Sequence, residues 1–506
     1  MIDAMLTRQC SFAFRLALVL SCTTSALAAQ SFNGFWRSVQ QMPDGNRSET
    51  VFLLQQEGSR LTGKVELPWS DYPLRNGVVH GKAFYFEIQL GASTWSYKGE
   101  IGHSGLKMVF HKPNASDVRL TAEPATTDFY PSTPPVPAPA LHSVAPNGLA
   151  LTPPMGWNSW NHFEGDIDDA TVRKIADALV STGMRDAGYV YVNIDDTWEG
   201  SRDDQGRIQP NRKFSDMKGL AGYLHARGLK LGLYSSPGPQ TCGGYPGSYG
   251  YEELDAQTYA AWGVDYLKYD WCSAFRIYQD RDMRAIYQKM GDALLRSGRP
   301  IVYSLCQYGK EDVWTWGRLA GGNLWRTTND IHNSYSRMAE IGFSQSALAA
   351  WSGPGGWNDP DMLEIGNGNL TVDESHTHMT LWAMLAAPLI AGNDLRSMSK
   401  KTSSILLNRE VIAIDQDPLG KQAQRVISDG SVEVWQRPLA DGSSAVAIFN
   451  RSSSSQPAHF KWSSLGYAEA PQLRDLWKHV PLSEDGADFS AELPPHGVIL
   501  LRAVQR

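Results

Sequence analysis

Between residues 30 and 123, apolar and polar positions alternate in short runs: "ETVFLLQQ", "RLTGKVEL", "GKAFYFEIQL", "STWSYKGEI" and "GLKMVFHK". Gly, Asn and Asp separate them, a period-two pattern that predicts an all-β domain of the small barrel or sandwich kind. The proline-rich and nearly uncharged "PATTDFYPSTPPVPAPALHSVAP" then breaks the pattern and predicts a semi-rigid extended linker over 124–148.

From 149 to 420 the texture changes. Strand-like runs end at "YVNIDD", "LKLGLYSSPG", "VDYLKYDWC", "IVYSLCQYG", "NLWRTTNDI", "GGWNDPDM" and "APLIAGND", and helical patterns such as "DDATVRKIADALVSTGMRDA" and "DMRAIYQKMGDALLRSG" lie between many of them. Eight such repeats predict a (β/α)8 TIM barrel. Each run begins apolar and ends in Asp, Lys, Asn, Arg or Trp, and a barrel would gather those endings at its C-terminal mouth. A doubly wound open sheet would need a Gly-rich phosphate turn after an early strand, and none is present. From 421 to 506, runs such as "SVEVWQRPL", "SSAVAIFNR" and "HGVILLRA" predict a C-terminal antiparallel β-sandwich domain.

At 506 residues, three domain-sized units are expected. A net charge of −7, spread along the chain without a basic cluster, gives no footprint for nucleic acid. Residues 1–29 read as an export signal, with Arg8 and Arg15 for charge, the short apolar "LALVL", and small residues in "SALAAQ" for cleavage near Ala28 or Ala29. A periplasmic or extracellular protein is expected; lipid attachment at Cys22 within "VLSC" is the competing reading. Outside that segment, three of the five cysteines remain, enough for one disulfide and one free thiol.

Chemistry is concentrated at the strand ends. Asp270 closes "LKYD" and Asp330 closes "WRTTND". A lone aspartate at a strand end is more often a cap or turn residue, but here polar endings recur from strand to strand. Two such carboxylates suit retaining glycoside hydrolysis, one as nucleophile and one as acid/base. Lys268, two positions before Asp270 and on the same strand face, would lower that aspartate's pKa and keep it ionised. Val264 and Tyr266 share that face, whereas Asp265 faces the other way and reads as structural. The adjacent Asp195 and Asp196 of "IDDTW" suit two neighbouring sugar hydroxyls better than a cation, which would need more ligands close by. Trp160, Trp357, Asp361 and Met362, from "PPMGWNSW" and "GGWNDPDM", mix apolar faces with a polar rim, as sugar pockets do. No ligand-spaced histidine array, GxSxG or P-loop is present, so no metal and no cofactor is expected.

Taken with "TPPMGWNSWNHF", "DYLKYDWC", "GPGGWNDPDMLEIGN", "LWAMLAAPLIAGNDLR" and "IDQDPLGKQ", these motifs make the chain from about 149 to 420 resemble glycoside hydrolase family 27, the α-galactosidase and α-N-acetylgalactosaminidase family. The resemblance implies a (β/α)8 barrel followed by an antiparallel β domain. By motif it implies Asp270 as nucleophile and Asp330 as acid/base. Asp195 and Asp196 would take the 6- and 4-hydroxyls, Lys268 the 3- and 4-hydroxyls, and Arg326 and Asp361 the 2-hydroxyl side, with Trp160 and Tyr234 lining the apolar part. It also implies a Cys242–Cys272 disulfide, leaving Cys306 as the odd thiol. One departure stands out: Gln307 in "SLCQYG" occupies a position where α-galactosidases of the family usually carry Glu, and which reads the substituent at C2. The reading that follows is an exported retaining α-galactosidase acting on α-galactoside oligosaccharides or polysaccharide side chains. A β-L-arabinopyranosidase or α-N-acetylgalactosaminidase is the sibling alternative, and a non-catalytic carbohydrate-binding protein the alternative from another class. The N-terminal domain lies outside the resemblance, and the aromatics of "LPWSDYP" and "TWSYKG" lean it toward sugar binding.

Overall fold

The computed structural model describes residues 31–41, 47–90, 93–113, 116–125, 136–482 and 486–505. The export signal and Cys22 lie outside them.

The N-terminal region is a closed ring of antiparallel strands. Gly34–Gln41 pairs with both Arg47–Glu57 and Val118–Ala125, and the meander between them returns to Arg60–Leu67, which pairs with Arg47–Glu57. The inward positions of each strand fill the ring with stacked aromatics, with Phe86 and Tyr97, and Tyr97 and Phe110, each 4.9 Å apart. "TWSYKG" therefore serves this core: Tyr97 is buried and Trp95 packs against it. Trp69, at the turn before Ser70–Pro73, is 37% exposed.

Part of the proline-rich stretch is fastened down. Val136 donates its amide to Tyr249 Oη at 2.8 Å, Val144 donates to Leu319 O at 2.9 Å, and the Asn147 amide donates to Ile301 O at 3.1 Å. With prolines at Pro137, Pro139 and Pro146, this segment is extended as expected but strapped along the central domain.

The central domain has eight parallel strands: Met155–Asn158, Tyr191–Asn193, Lys230–Ser235, Tyr266–Asp270, Val302–Cys306, Leu324–Arg326, Trp357–Asp359 and Leu389–Ala391. Their order in the sheet is seventh, sixth, fifth, fourth, third, second, first, eighth. Between the seventh and eighth, Leu363 donates to Ile390 O at 2.8 Å and accepts from Gly392 N at 3.0 Å, a single parallel bridge to Ala391. Helices cover the outward face. Asp169–Ser181 shows why: Asp168 caps its first turn through Thr171 N at 2.8 Å, and Val172, Ile175, Ala176 and Leu179 form the buried stripe at helical spacing. The fifth connection departs from the repeat, carrying only the 3-10 turns Lys310–Thr315 and Gly317–Ala320.

The C-terminal domain is a β-sandwich. A six-stranded antiparallel sheet faces the pair Gln456–Lys461 and Asp488–Leu493, with Val434, Ile448, Phe460, Trp462 and Leu501 between them. The other face of the sheet covers helix Val372–Leu385, which is buried nearly all round.

Candidate active site

Strand pleat explains how polar ends come together. Side chains two apart share a face, and the first residues on one face, Tyr191, Tyr266, Val302, Leu324 and Trp357, form one buried apolar cluster. Asn193, Lys268, Ser304, Arg326 and Asp359 follow two residues later and line the cleft above it, joined by Asn158. Trp357 is thus not a sugar-facing residue: it is fully buried in the lower layer, donating its indole N–H to Ala150 O at 2.7 Å. Val264 also differs from expectation. The strand starts at Tyr266, and Val264 packs with the helix layer. Asp265 is structural as expected, accepting from Leu231 N at 2.9 Å and pairing with Arg299 at 2.6 Å.

Asp270 ends the fourth strand, 5% exposed. Its Oδ1 accepts from Tyr308 Oη at 2.7 Å and Trp271 N at 2.8 Å, and its Oδ2 accepts from Tyr234 Oη at 3.1 Å. Tyr234, expected as apolar lining, is thus also a donor to this carboxylate. Burial pushes the Asp270 pKa up to about 6, against the pull of Lys268 and the Tyr308 hydrogen bond, with the charges of Asp330 and Asp195 adding to the rise. Lys268 lowers it as expected but does not win. Desolvation outweighs one ammonium whose Nζ is committed to Asp195 Oδ2 at 2.8 Å. Lys268 itself titrates well above the usual lysine range: burial works downward, and Asp195, Asp270 and Asp361 overcome it.

Asp195 and Asp196 sit just past the second strand, both buried. Asp195 Oδ2 also accepts from Asn158 Nδ2 at 2.7 Å, while Asp196 accepts from Gly243 N at 2.5 Å and Thr197 N at 2.7 Å. Burial moves the Asp196 pKa up to about 7, although Thr241 and Gly243 hydrogen bonds oppose it. Beneath them lies Glu199, whose carboxyl accepts from Thr197 N at 3.1 Å and is driven well above the usual range by burial and then by the Asp196 charge. Thr197 has φ +81°, uncommon for a β-branched residue, so this turn is held against a local cost.

Asp330 is not at a strand end. The sixth strand stops at Arg326, and Asp330 lies four residues on in a loop, its side chain 70% exposed. Arg326 reaches it at 2.9 Å and Asp361 at 2.7 Å, both through Nη2. Asp361, at φ +86°, accepts from Ile331 N at 2.9 Å, while Met362 lines the cleft beside it. Asp359 lies under this group, its pKa raised to about 6 by burial despite Arg326. Gln307 is fully buried. Its amide donates to Arg326 O at 3.3 Å, and its Oε1 has no partner. Trp160 is half-buried, its backbone amide donating to Asn158 Oδ1 at 2.8 Å.

Cys242 and Cys272 form a disulfide beside Asp270, and Cys306 is free and buried. With their sulfurs joined, the two offer no thiolate to a metal. Tyr308, Asn158, Glu199 and Asp359 had no assigned role in the sequence reading. Tyr308, Asn158 and Asp359 lie within motifs singled out there and Glu199 directly follows "IDDTW", which was the available signal.

The family model described as "Alpha galactosidase A" matches residues 152–417, and that described as "Alpha galactosidase C-terminal beta sandwich domain" matches 429–503. The alpha-galactosidase of Cyamopsis tetragonoloba is 48% identical over 359 residues, spanning 70% of this chain and 86% of that protein. Alpha-galactosidase I of Mortierella vinacea superposes with a TM-score of 0.69 at 35% identity, over 71% of this chain and 99% of its own. A candidate alpha-galactosidase of Bacteroides fragilis superposes with a TM-score of 0.67 at 33% identity, over 94% of this chain and 92% of its own, a span that takes in the N-terminal ring.

Proposed function

The chain belongs to glycoside hydrolase family 27, the α-galactosidase family, and is a glycoside hydrolase; on that premise we propose that it is an exported retaining α-galactosidase with Asp270 as nucleophile and Asp330 as acid/base. The observation that carries this reading is Asp270 itself, a buried carboxylate held by Tyr308, Tyr234 and the Trp271 amide at the floor of a mouth edged by Asp195, Lys268 and Arg326. We read the eight parallel strands as a (β/α)8 barrel closed through Leu363.

In the first step an Asp270 carboxylate oxygen bonds to the anomeric carbon as the C1–O bond to the leaving group breaks, and the carboxyl proton of Asp330 passes to the departing oxygen. In the second, water attacks C1, Asp330 takes its proton, and the Asp270–C1 bond breaks, returning the α anomer. Asp330's exposure suits a group that meets leaving groups and water in turn, while Arg326 restrains it. Asp195, Asp196, Lys268, Arg326, Asp361 and Gln307 hold the galactosyl hydroxyls, with Trp160, Tyr234 and Met362 against its apolar face. Gln307 Oε1, buried and unpaired, is a spare acceptor next to Arg326. The charged groups are desolvated before substrate arrives, so the site need not reorganise as charge develops. Residues 1–29 would be removed on export.

Proton NMR of fresh hydrolysate tests the mechanism: α-galactose should form first, and β-galactose first would overturn it. Azide added to Asp330→Ala should restore turnover and yield α-galactosyl azide. A panel of aryl glycosides tests the sugar. Faster cleavage of the β-L-arabinopyranoside or α-N-acetylgalactosaminide than of the α-galactoside would assign the chain to a sibling activity. The N-terminal sequence of the exported protein, expected to start just after Ala28 or Ala29, tests the leader.

A further inference from the structure

The N-terminal ring touches the loop that follows Asp270. The Pro68–Trp69 turn, which joins Arg60–Leu67 to Ser70–Pro73, sits on the loop that follows Asp270. Ser273, three residues past that carboxylate, donates its amide to Pro68 O at 2.7 Å. Arg276 of the same loop donates to Leu67 O at 2.6 Å and pairs with Asp71 at 2.7 Å, and Lys64 ties Asp71 to the buried Glu66 at 2.7 and 2.8 Å. The opposite side of the disulfide is touched as well. A side chain added at Gly244 would meet Pro68 Cγ and Ser48 Oγ at 3.7 Å, and the neighbouring Gly243 amide is the one that holds Asp196. One turn of the N-terminal ring thus abuts both loops joined by Cys242–Cys272.

At the tip of that turn, Pro68 is buried and Trp69 exposed, with the indole N–H fixed on Tyr72 Oη at 2.8 Å. An indole kept in one orientation by a hydrogen bond and more than a third exposed is suited to the C–H face of a pyranose. A galactosyl group bound at Asp270 would have what it is attached to leave past the loops that this turn abuts. We propose that the N-terminal ring completes the substrate mouth, with Trp69 as the platform on which the leaving-group hexose of an α-galactosyl oligosaccharide stacks. The ring is then a wall of the active site and not a separate carbohydrate-binding module.

This inference rests on the α-galactosidase reading, so the test uses two substrates that separate the two. α-Galactosyl fluoride carries no second sugar; raffinose carries one at the rim. Wild-type turnover of the fluoride tests the reading, and its complete absence would overturn both. For the inference, the ratio of kcat/KM on raffinose to that on the fluoride is compared between wild type, Trp69→Ala and Trp69→Phe. Trp69→Ala should lower the ratio five- to tenfold, mainly through KM for raffinose, and Trp69→Phe should restore at least half of it. A ratio unmoved by Trp69→Ala overturns the proposal, as does an equal fall on both substrates, which would make the turn a buttress of the loops and nothing more.

Discussion

The Tyr308 hydroxyl donates to Asp270 Oδ1 at 2.7 Å from a backbone position at φ +64°, where a non-glycine residue is uncommon. The conformation turns the ring, which follows the fifth strand, back toward the end of the fourth. Tyr308 is held as the neutral phenol, its pKa pushed well above its ordinary value by burial and then by the Asp270 charge, so it can only give its proton to the bond. Removing the hydroxyl takes away a donor that favours the charged carboxylate, a hydrogen bond worth about 1.5–3 kcal/mol. In Tyr308→Phe the acid limb of the kcat/KM profile, near 6 in the wild type, should move upward by roughly one unit. The loss of activity should be about fivefold at pH 6, approach about tenfold below pH 5 and nearly vanish by pH 8. An unmoved acid limb would mean that another group sets it.

The same buried carboxylate carries a cost in stability. Asp270, Asp359 and Asp196 have folded-state pKa values raised to about 6, 6 and 7. Above the ordinary carboxylate range the native state therefore holds protons that the unfolded chain has already released. Their contribution is full below about pH 4 and is lost as pH rises through about 6 to 7. Asp270→Asn removes one such charge. It should abolish turnover and yet stabilise the fold by about 1–3 kcal/mol at pH 8, at about 1.4 kcal/mol per pKa unit. The gain should disappear by pH 4. Thermal melts of both proteins across that range check the sign, and a constant difference would refute it.

Much of this site was legible because a strand that is apolar at its start and polar at its end can only be read one way once strands are parallel. Asp270 and Lys268 needed no more than that alternation, and Asp195 and Asp196 stood out as an adjacent pair just past a strand end. Depth was not legible. In "WND" of the seventh strand, Trp357 and Asp359 share a face, yet Trp357 lies in the buried lower layer and Asp359 in the cleft, and pleat alone cannot tell them apart. The first strand, "MGWN", is four residues long without a β-branched residue, so it carried no strand signal. Tyr308 escaped because its role depends on a positive φ, which no side-chain pattern records. The balance at Asp270 escaped because burial, the larger influence on its pKa, is a property of the assembled mouth.

Glu199 offers a test of a buried acid. Burial and then the Asp196 charge raise its pKa well above the usual range, and its carboxyl shares the Thr197 amide, at φ +81°, with Asp196 Oδ1. Glutamine keeps the size and a carbonyl acceptor, so Glu199→Gln should retain kcat/KM within about threefold and lose less than about 1 kcal/mol. Glu199→Leu removes one of the two acceptors of the Thr197 N–H and leaves it on Asp196 Oδ1 alone, at a cost of about 0.5–1.5 kcal/mol, and should also raise KM, since Asp196 is anchored to the same turn. Equal behaviour of the two variants, measured by melts and by kinetics on an aryl α-galactoside, would exclude this role.

The disulfide joins the loop that carries Gly243, the amide partner of Asp196, to the residue two past Asp270. With a sequence separation of 30, the loss of chain entropy in the unfolded state corresponds to about 3–4 kcal/mol. Replacing both cysteines by serine should therefore lower the melting temperature by several degrees in this large chain. Function should suffer separately. Freed from each other, the two loops would no longer fix Asp196 against Asp270, and kcat/KM should fall by about tenfold or more even well below the new melting temperature. Reduction of the wild type under native conditions supplies the control, because it breaks the same bond without changing a residue beyond the two thiols. If the reduced enzyme melts lower but keeps its kcat/KM, the bond stabilises the fold and does nothing to position the site.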